Sequence, residues 1–310
     1  MQSIEISSLL KERSELAEVI NSLVHGTIEI RKNNNIKYLY VHYRENKKII
    51  TRYVDKYSEK ICNIIVNNNL EVSRIKSRIR KINKKLRELN YDEQELSKIV
   101  RLNIDFVRKN LIDTIYKQSI LEGITTTEAD TKNVLEGGIV NGMTSTDVMK
   151  IINLKHAWDF ILDENVILSP TDFNLLSYIN KLVIENFYYN AGIVRTTPVI
   201  IGGTTWTPNI PIESEIKEDI NKIINKKKDD VDKAIELLLY IMKRQIFIDG
   251  NKRTAVIFAN HYLISKGLGL IVIPAELTEH YKELLISYYE GKDSKKIKDF
   301  LKNLCYIKIY

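Results

Sequence analysis

The stretch Gln245-Ile246-Phe247-Ile248-Asp249-Gly250-Asn251-Lys252-Arg253 constrains this chain more than any other. It is a tight polar turn between two apolar runs of helical spacing, residues 234–243 and 254–266. The first run carries Ile235, Leu238, Leu239 and Met242 on one stripe. The second is apolar nearly all round, through Val256, Ile257, Phe258, Ala259, Leu263 and Ile264. A polar turn between two buried helices is unusual. Gly250 lets the backbone bend and approach a ligand closely. The free N–H groups of the second helix's opening turn, beside Lys252 and Arg253, make a good anion site. Asp249 adds a carboxylate able to hold a divalent cation that bridges phosphate oxygens. These residues predict a phosphate cradle with a metal ligand; the plain alternative is a helix–helix turn with solvated charges.

The spelling Phe247-x-Asp249-Gly250-Asn251-x-Arg253 resembles the central loop of the Fic family, His-x-Phe-x-Asp/Glu-Gly-Asn-Gly-Arg. Members mostly transfer AMP from ATP to a hydroxyl of a target protein, and the related Doc toxins transfer a phosphate. Three positions depart from the pattern: Gln245 stands for the catalytic His, Lys252 for the last Gly as in Doc-like members, and Val256 for a second Arg. The resemblance implies the fold and a nucleotide site more firmly than it implies the chemistry.

A chain of 310 residues can bury a sizeable core and carry an appendage. Its two cysteines, Cys62 and Cys305, lie far apart with no partners at ligand spacing, which argues against disulfides and structural zinc. With no long apolar run, a soluble, cytoplasmic protein is expected. Abundant Ile, Lys and Asn hint at an AT-rich bacterial genome. The net charge of +7 is unevenly placed: residues 1–100 hold 20 Lys/Arg against 13 Asp/Glu, and the remaining 210 balance 27 against 27. A separate basic module at the N-terminus follows.

That module, residues 1–92, reads as an amphipathic helix over 5–24, strands over 27–31, 36–43 and 49–54, and a long helix over 55–89. Turn signals fall at 33–35 and 45–47. Tyr38, Tyr40, Tyr43 and Tyr53 among Lys and Arg could stack bases and hold phosphates, or simply fit a half-buried sheet. Between Arg74 and Arg87 the long helix carries eight basic residues and no acid. That is a face for nucleic acid or an acidic partner, or a solvated helix face.

Residues 90–92 read as the link to a body spanning 93–310. A helix is expected over 95–121, ending at Glu122-Gly123. Capping boxes at Thr125-x-x-Glu128 and Thr144-x-x-Asp147 open two more, and Ser169-Pro170-Thr171-Asp172 opens a helix running to about residue 187. Gly202-Gly203 between residues 195–201 and 204–206 is a hairpin signal, with Pro198 marking an edge. Residues 267–274 read as an apolar connector, followed by helices over 275–290 and 294–305.

Two of these segments extend the Fic resemblance. Ser119-Ile120-Leu121-Glu122-Gly123 is similar to the inhibitory helix of members that carry it ahead of the core, with Gln118 where that pattern wants Ser/Thr. In those members the Glu reaches into the nucleotide site and pairs with the second Arg; with Val256 there, Glu122 is left Arg253, Lys252 or nothing. Gly192-x-x-Arg195 to Pro208 looks like the flap that holds the target, here through Thr197, Val199, Ile200 and Ile201.

The resemblance thus implies a mainly α fold, a Fic helical core with a β-hairpin flap; the residue patterns place a small basic α/β module with a long helix ahead of it. It implies ATP and Mg²⁺ as ligands, with Asp249 holding the metal, Gly250, Asn251, Lys252 and Arg253 holding the nucleotide, Gln245 in the catalytic position and Glu122 inhibitory. Gln245 has no usable proton affinity, so it cannot act as the general base. His156 and His261 are candidates by availability only; otherwise the acceptor is already ionised, or nucleotide binds without turnover. AMP transfer to a protein is the leading reading. Doc-like phosphate transfer and an inactive nucleotide-binding regulator are the alternatives. Expected partners are a protein target at the flap and nucleic acid on the Arg74 to Arg87 helix, with no membrane; a homodimer is left open.

Overall fold

The computed structural model describes the chain apart from residues 1, 34–35, 46–47, 90, 92–95, 141 and 310, and apart from the side chains of residues 2–4, 7, 44, 45 and 48. Most of the two expected inter-strand turns, most of the 90–92 link and the expected helix start at 95 lie outside the described residues. The chain forms two compact units, residues 1–93 and 94–310.

The first unit comprises α1 (Gln2–Ser22), β1 (Thr27–Asn33), β2 (Ile36–Glu45), β3 (Lys48–Lys56) and α2 (Glu59–Glu88). The strands form an antiparallel meander with β2 in the centre. Alternation along β2 turns Leu39 and Val41 inward, where they pack with Ile65 of α2. Further along α2, Ile82 and Leu86 pack with Leu9 and Leu10 of α1. The long helix starts four residues later than expected because β3 continues to Lys56, which pairs with Tyr38 in the ladder.

The second unit is mainly α. It opens with α3 (Lys98–Lys109) and α4 (Leu111–Leu121), not with one helix. Asn110 divides them: its amide donates back to the Phe106 carbonyl at 2.7 Å, and its own carbonyl starts the next helix by accepting from Thr114 N at 3.0 Å. Next come α5 (Glu128–Leu135) and α6 (Ser145–Ile161). Thr127, two residues past the expected box, caps α5 through Asp130 N, while Thr144 caps α6 as expected. For α7 (Phe173–Val183) the cap is Asp172, whose carboxylate accepts from the N–H groups of Asn174 and Leu175; Ser169 lies outside the helix.

Helix α8 (Glu213–Asn225) is absent from the sequence reading, although Ile216, Ile220 and Ile223 recur at helical spacing and are buried. The chain continues through α9 (Asp230–Arg244), α10 (Asn251–Ser265), β4 (Leu270–Ile271), α11 (Thr278–Tyr289), α12 (Ser294–Phe300) and β5 (Tyr306–Ile307). The expected connector therefore contains a strand, β4, paired antiparallel with β5. Helix α10 runs through the core and packs against α9, α7, α6 and α3, which is why its sequence is apolar all round.

The expected paired hairpin at 195–206 is not formed. The chain turns at Gly202–Gly203, but its arms form no ladder. Pro198 has no N–H to give to one, and the arms are fastened to neighbouring elements instead, as described next. Among the described residues no helix is long and apolar enough to cross a membrane.

Candidate functional site

Helix α9 begins under Asp229, which accepts from Val231 N and Asp232 N, and ends at Gln245 in the left-handed region, φ 45°. A left-handed residue just past a helix end stops it sharply. Gln245 is one of two described non-glycine residues with positive φ. Gly250, at φ 75°, makes the second corner and opens α10. A Cβ on Gly250 would stand 2.6 Å from Ile184 Cγ2, so the position admits only glycine both by conformation and by space.

The loop between these corners is held by its own amides. Asn251 accepts from Phe247 N at 2.9 Å and donates to Phe247 O at 2.7 Å and to Gln245 Oε1 at 3.2 Å. Asn180 of α7 donates to Asp249 O at 2.9 Å and to Thr254 Oγ1 at 3.1 Å. Ile246 and Phe247 are fully buried and anchor it from below.

Above the loop lies a cavity of about 400 Å³. The loop contributes Gln245, Asp249, Gly250, Asn251 and Lys252, and α4 contributes Glu122. The segment 199–202 and α11 close the remaining sides. Glu122 is the C-terminal cap residue of α4, with its side chain 12% exposed. Its Oε2 is 3.0 Å from Arg253 Nε and its Oε1 is 3.6 Å from Lys252 Nζ. The approach to Arg253 is an ion pair without hydrogen-bond alignment, so Glu122 Oε1 and Arg253 Nε both lack a hydrogen-bond partner. Arg253 itself is buried. It donates to Val183 O at 3.3 Å and to Asp249 Oδ2 at 3.2 Å. Gln118 positions α4 against this turn: its amide donates to Arg253 O at 3.0 Å, and Trp158 Nε1 donates to its oxygen at 2.9 Å.

Thus Gln245, Asp249, Gly250, Asn251, Lys252 and Glu122 meet at one cavity. Two expected residues do not reach it. Arg253 lies beneath the floor, because all three arms of its guanidinium are turned to Glu122, Val183 and Asp249. Thr197 is set back, its carbonyl accepting from Arg195 Nη1 at 2.7 Å, while Val199, Ile200 and Ile201 line the cavity. Val256 faces the core beside Gln118 and Leu121.

Neither histidine is placed to act there. His261 is fully buried in α10, between Thr171 Oγ1 at 3.0 Å and Val166 O at 3.3 Å, and burial pulls its pKa down to about 4. His156 lies half exposed beside Glu185, outside the cavity lining.

Arg195, expected only as part of the flap spelling, is buried and ties the ends of the flap to the loop: it donates to Gln245 O at 2.5 Å, Thr197 O, Pro208 O and Asn209 O. Two residues escaped the sequence reading. Lys282 and Tyr289 line the cavity from α11. Burial, then the charge of Glu122, raises the Tyr289 phenol's pKa. Lys282, Leu285, Ile286 and Tyr289 recur at i, i+3, i+4 and i+7, a stripe that could have flagged this face. Tyr289 also stacks on Trp206 with centroids 5.8 Å apart, and Thr204 Oγ1 donates to Glu290 at 3.1 Å, which fastens the far arm of the flap to α11.

Residues 170–263 match the model of the Fic/DOC family, and residues 4–61 match a domain of unknown function, DUF6788. The fold is similar to solved Fic proteins. A fragment of Fic-1 from C. elegans aligns at 20% identity and TM-score 0.53 over 76% of this chain and 72% of that one. A Fic domain containing signaling protein from Bacteroides thetaiotaomicron aligns at 20% identity and TM-score 0.52, over 68% of this chain and 87% of that one. A Fic family protein from Desulfovibrio desulfuricans aligns at 15% identity and TM-score 0.51, over 68% and 73%. No curated protein matches. The family match thus lies within the second unit, at residues 170–263, and the fold is that of Fic proteins.

Proposed function

We propose that the cavity binds ATP with magnesium and that the chain's reaction class is AMP transfer to a protein segment seated on the flap. The observation that carries the reading is the Glu122–Arg253 ion pair at the cavity floor, in which Glu122 Oε1 and Arg253 Nε are buried without a hydrogen bond. Such atoms are costly unless a ligand or a movement satisfies them.

The residues fit the ligand. The opening turn of α10 presents N–H groups that lack intrahelical partners to the cavity, beside Lys252 and Lys282. Asp249 accepts from Gly250 N on Oδ1 and from Arg253 Nη2 on Oδ2, which leaves a lone pair on each oxygen, and its side chain is 42% exposed. Among the described residues no cluster of three His, Cys, Asp or Glu forms a metal site, so Asp249 would share the ion with phosphate oxygens. The metal's contribution when bound is charge neutralisation at those oxygens.

In AMP transfer an acceptor oxygen bonds to the α-phosphorus while the bond to the pyrophosphate oxygen breaks. A neutral hydroxyl must also lose its proton, and Gln245 does not take it: its carbonyl already accepts from Asn251 and its amide donates to Met242 O. The site therefore favours an acceptor that is ionised at neutral pH, or slow turnover of a hydroxyl. Ile200, 93% exposed at the flap tip, gives an extended target an apolar foothold.

Lys252 at the cavity wall favours a second reading, Doc-like transfer of the γ-phosphate. The cavity lining contains no histidine, which favours a third, a nucleotide-binding regulator without turnover. Incubation of the protein and a lysate with α- and γ-labelled ATP separates them. Label from the α position supports AMP transfer, label from γ supports phosphate transfer, and no label with ATP still bound supports the regulator.

A further inference from the structure

The first unit holds a surface that the second unit's chemistry does not use. Helix α2 closes one face of the three-stranded sheet, and the opposite face is left open. Ladder register arranges the open face in three rows. Arg31, Tyr38 and Lys56 form the first, Glu29, Tyr40 and Tyr53 the second, and Thr27, His42 and Thr51 the third. Tyr53 lies 5.4 Å from Tyr40 and 6.3 Å from Tyr38 between centroids, and the Arg31 guanidinium sits 4.5 Å over the Tyr40 ring. Tyr53 is 50% exposed. The core is filled by Leu39 and Val41 from the other face, so these rings are not needed to close it.

The one acid in these rows is already neutralised: Glu29 accepts from Arg31 at 3.0 Å and pairs with His42 at 2.6 Å. Residues 27–56 as a whole hold eight Lys/Arg against three Asp/Glu. We infer that this open face binds single-stranded nucleic acid, with bases stacked on the tyrosines and phosphates held by the cations at the margin. Aromatic rings in the centre of a sheet with Arg and Lys at its edge match unpaired bases, which offer a π-face. A duplex hides its base faces, and its groove would be read by long polar side chains where these rings stand.

The basic run of α2 is a weaker site. Arg78 and Lys85 are drawn into ion pairs with Glu12 and Glu5 of α1, both at 2.5 Å. Lys76, Arg80, Lys84 and Arg87 remain on an exposed stripe without aromatic neighbours among their described contacts.

The test is fluorescence anisotropy of the full chain with labelled 15-residue oligo-U, oligo-dT and a duplex at low salt. Single strands should bind better than duplex, with affinity falling steeply as salt rises. RNA or DNA preference identifies the source, and either supports the assignment. Tyr40→Ala and Tyr53→Ala together should weaken binding at least tenfold, since each stacked base is worth about 1–3 kcal/mol. Tyr53→Thr, a good strand residue at a half-exposed edge position, guards against misfolding and should weaken binding several-fold alone. Tyr40→Phe and Tyr53→Phe should keep it. Lys76→Glu with Arg80→Glu should leave most of it. Equal or tighter duplex binding, no binding at low salt, or loss with the α2 variants while folded tyrosine variants bind normally would overturn the inference.

Discussion

Glu122 Oε2 stands 3.0 Å from Arg253 Nε, a contact that joins the end of α4 to the first turn of α10 across the floor of the cavity. Both groups are almost entirely withdrawn from water, so removing one partner is costly because it leaves the other charge buried without compensation. While it stands, the guanidinium faces Glu122, Val183 and Asp249, and the cavity's accessible cations are Lys252 and Lys282. A phosphate on Arg253 Nε would occupy the place that Glu122 Oε2 holds.

Gly250→Ala should destabilise the second unit by roughly 3 kcal/mol, combining left-handed backbone strain with the clash against Ile184. Gly291→Ala has a similar φ of 77° but nothing within 4 Å of the added Cβ, so it should cost about 1 kcal/mol, from strain alone. Thermal denaturation of the two variants checks the difference; equal losses would deny the close packing of the loop.

His261 gives a pH dependence of stability. Its folded pKa of about 4 lies below the unfolded 6.5, so the unfolded chain binds the proton first as the pH falls. The neutral-form stability is complete above about pH 6.5 and is lost on descending toward pH 4, by about 3 kcal/mol. His261→Asn keeps an acceptor or donor for Thr171 without titrating, so the gap in Tm between wild type and variant should shift in the variant's favour across that window. A gap that stays constant from pH 7 to 4 would contradict it.

Gln245→His should raise modification activity by about 10²-fold, the lower end of general-base catalysis, because the cradle, Asp249 and the flap are supplied by other residues. Self-modification with α-labelled ATP is the readout. If activity stays nil, adding Lys252→Gly and Val256→Arg tests whether nucleotide orientation is at fault. A silent triple variant that still binds ATP means the regulator reading is right. A fall in activity on Gln245→His would give Gln245 a role of its own.

Arg195→Lys should loosen loop and flap together, since one ammonium cannot serve the four carbonyls that the guanidinium fork reaches. Faster amide exchange in both 195–209 and 245–250 is expected, and exchange confined to one of them would separate the two segments.

How much of this was legible beforehand depended on how local each signal was. The loop from Phe247 to Arg253 and the Glu122 helix end are short, contiguous spellings, and both could be read from neighbouring residues. That Arg253 would be buried under the cavity could not, because it follows from the Val183 and Asp249 acceptors around it. The flap's turn at Gly202–Gly203 was visible, but whether its arms pair with each other or are fastened by Arg195 and α11 is a tertiary choice. Lys282 and Tyr289 joined the site by the packing of α11, with only a helical stripe to announce them. In the first unit, the strand register that separates Leu39 and Val41 from Tyr38 and Tyr40 was present in the alternation of β2 itself.

Calorimetric titration of ATP with magnesium into wild type and Glu122→Gly tests the central claim most directly. Removing the carboxylate frees the Nε edge of Arg253, so the variant should bind ATP at least tenfold more tightly than wild type, by more than 1.4 kcal/mol. A folded Glu122→Gly protein that takes up no nucleotide, like the wild type beside it, would contradict the assignment of this cavity to ATP.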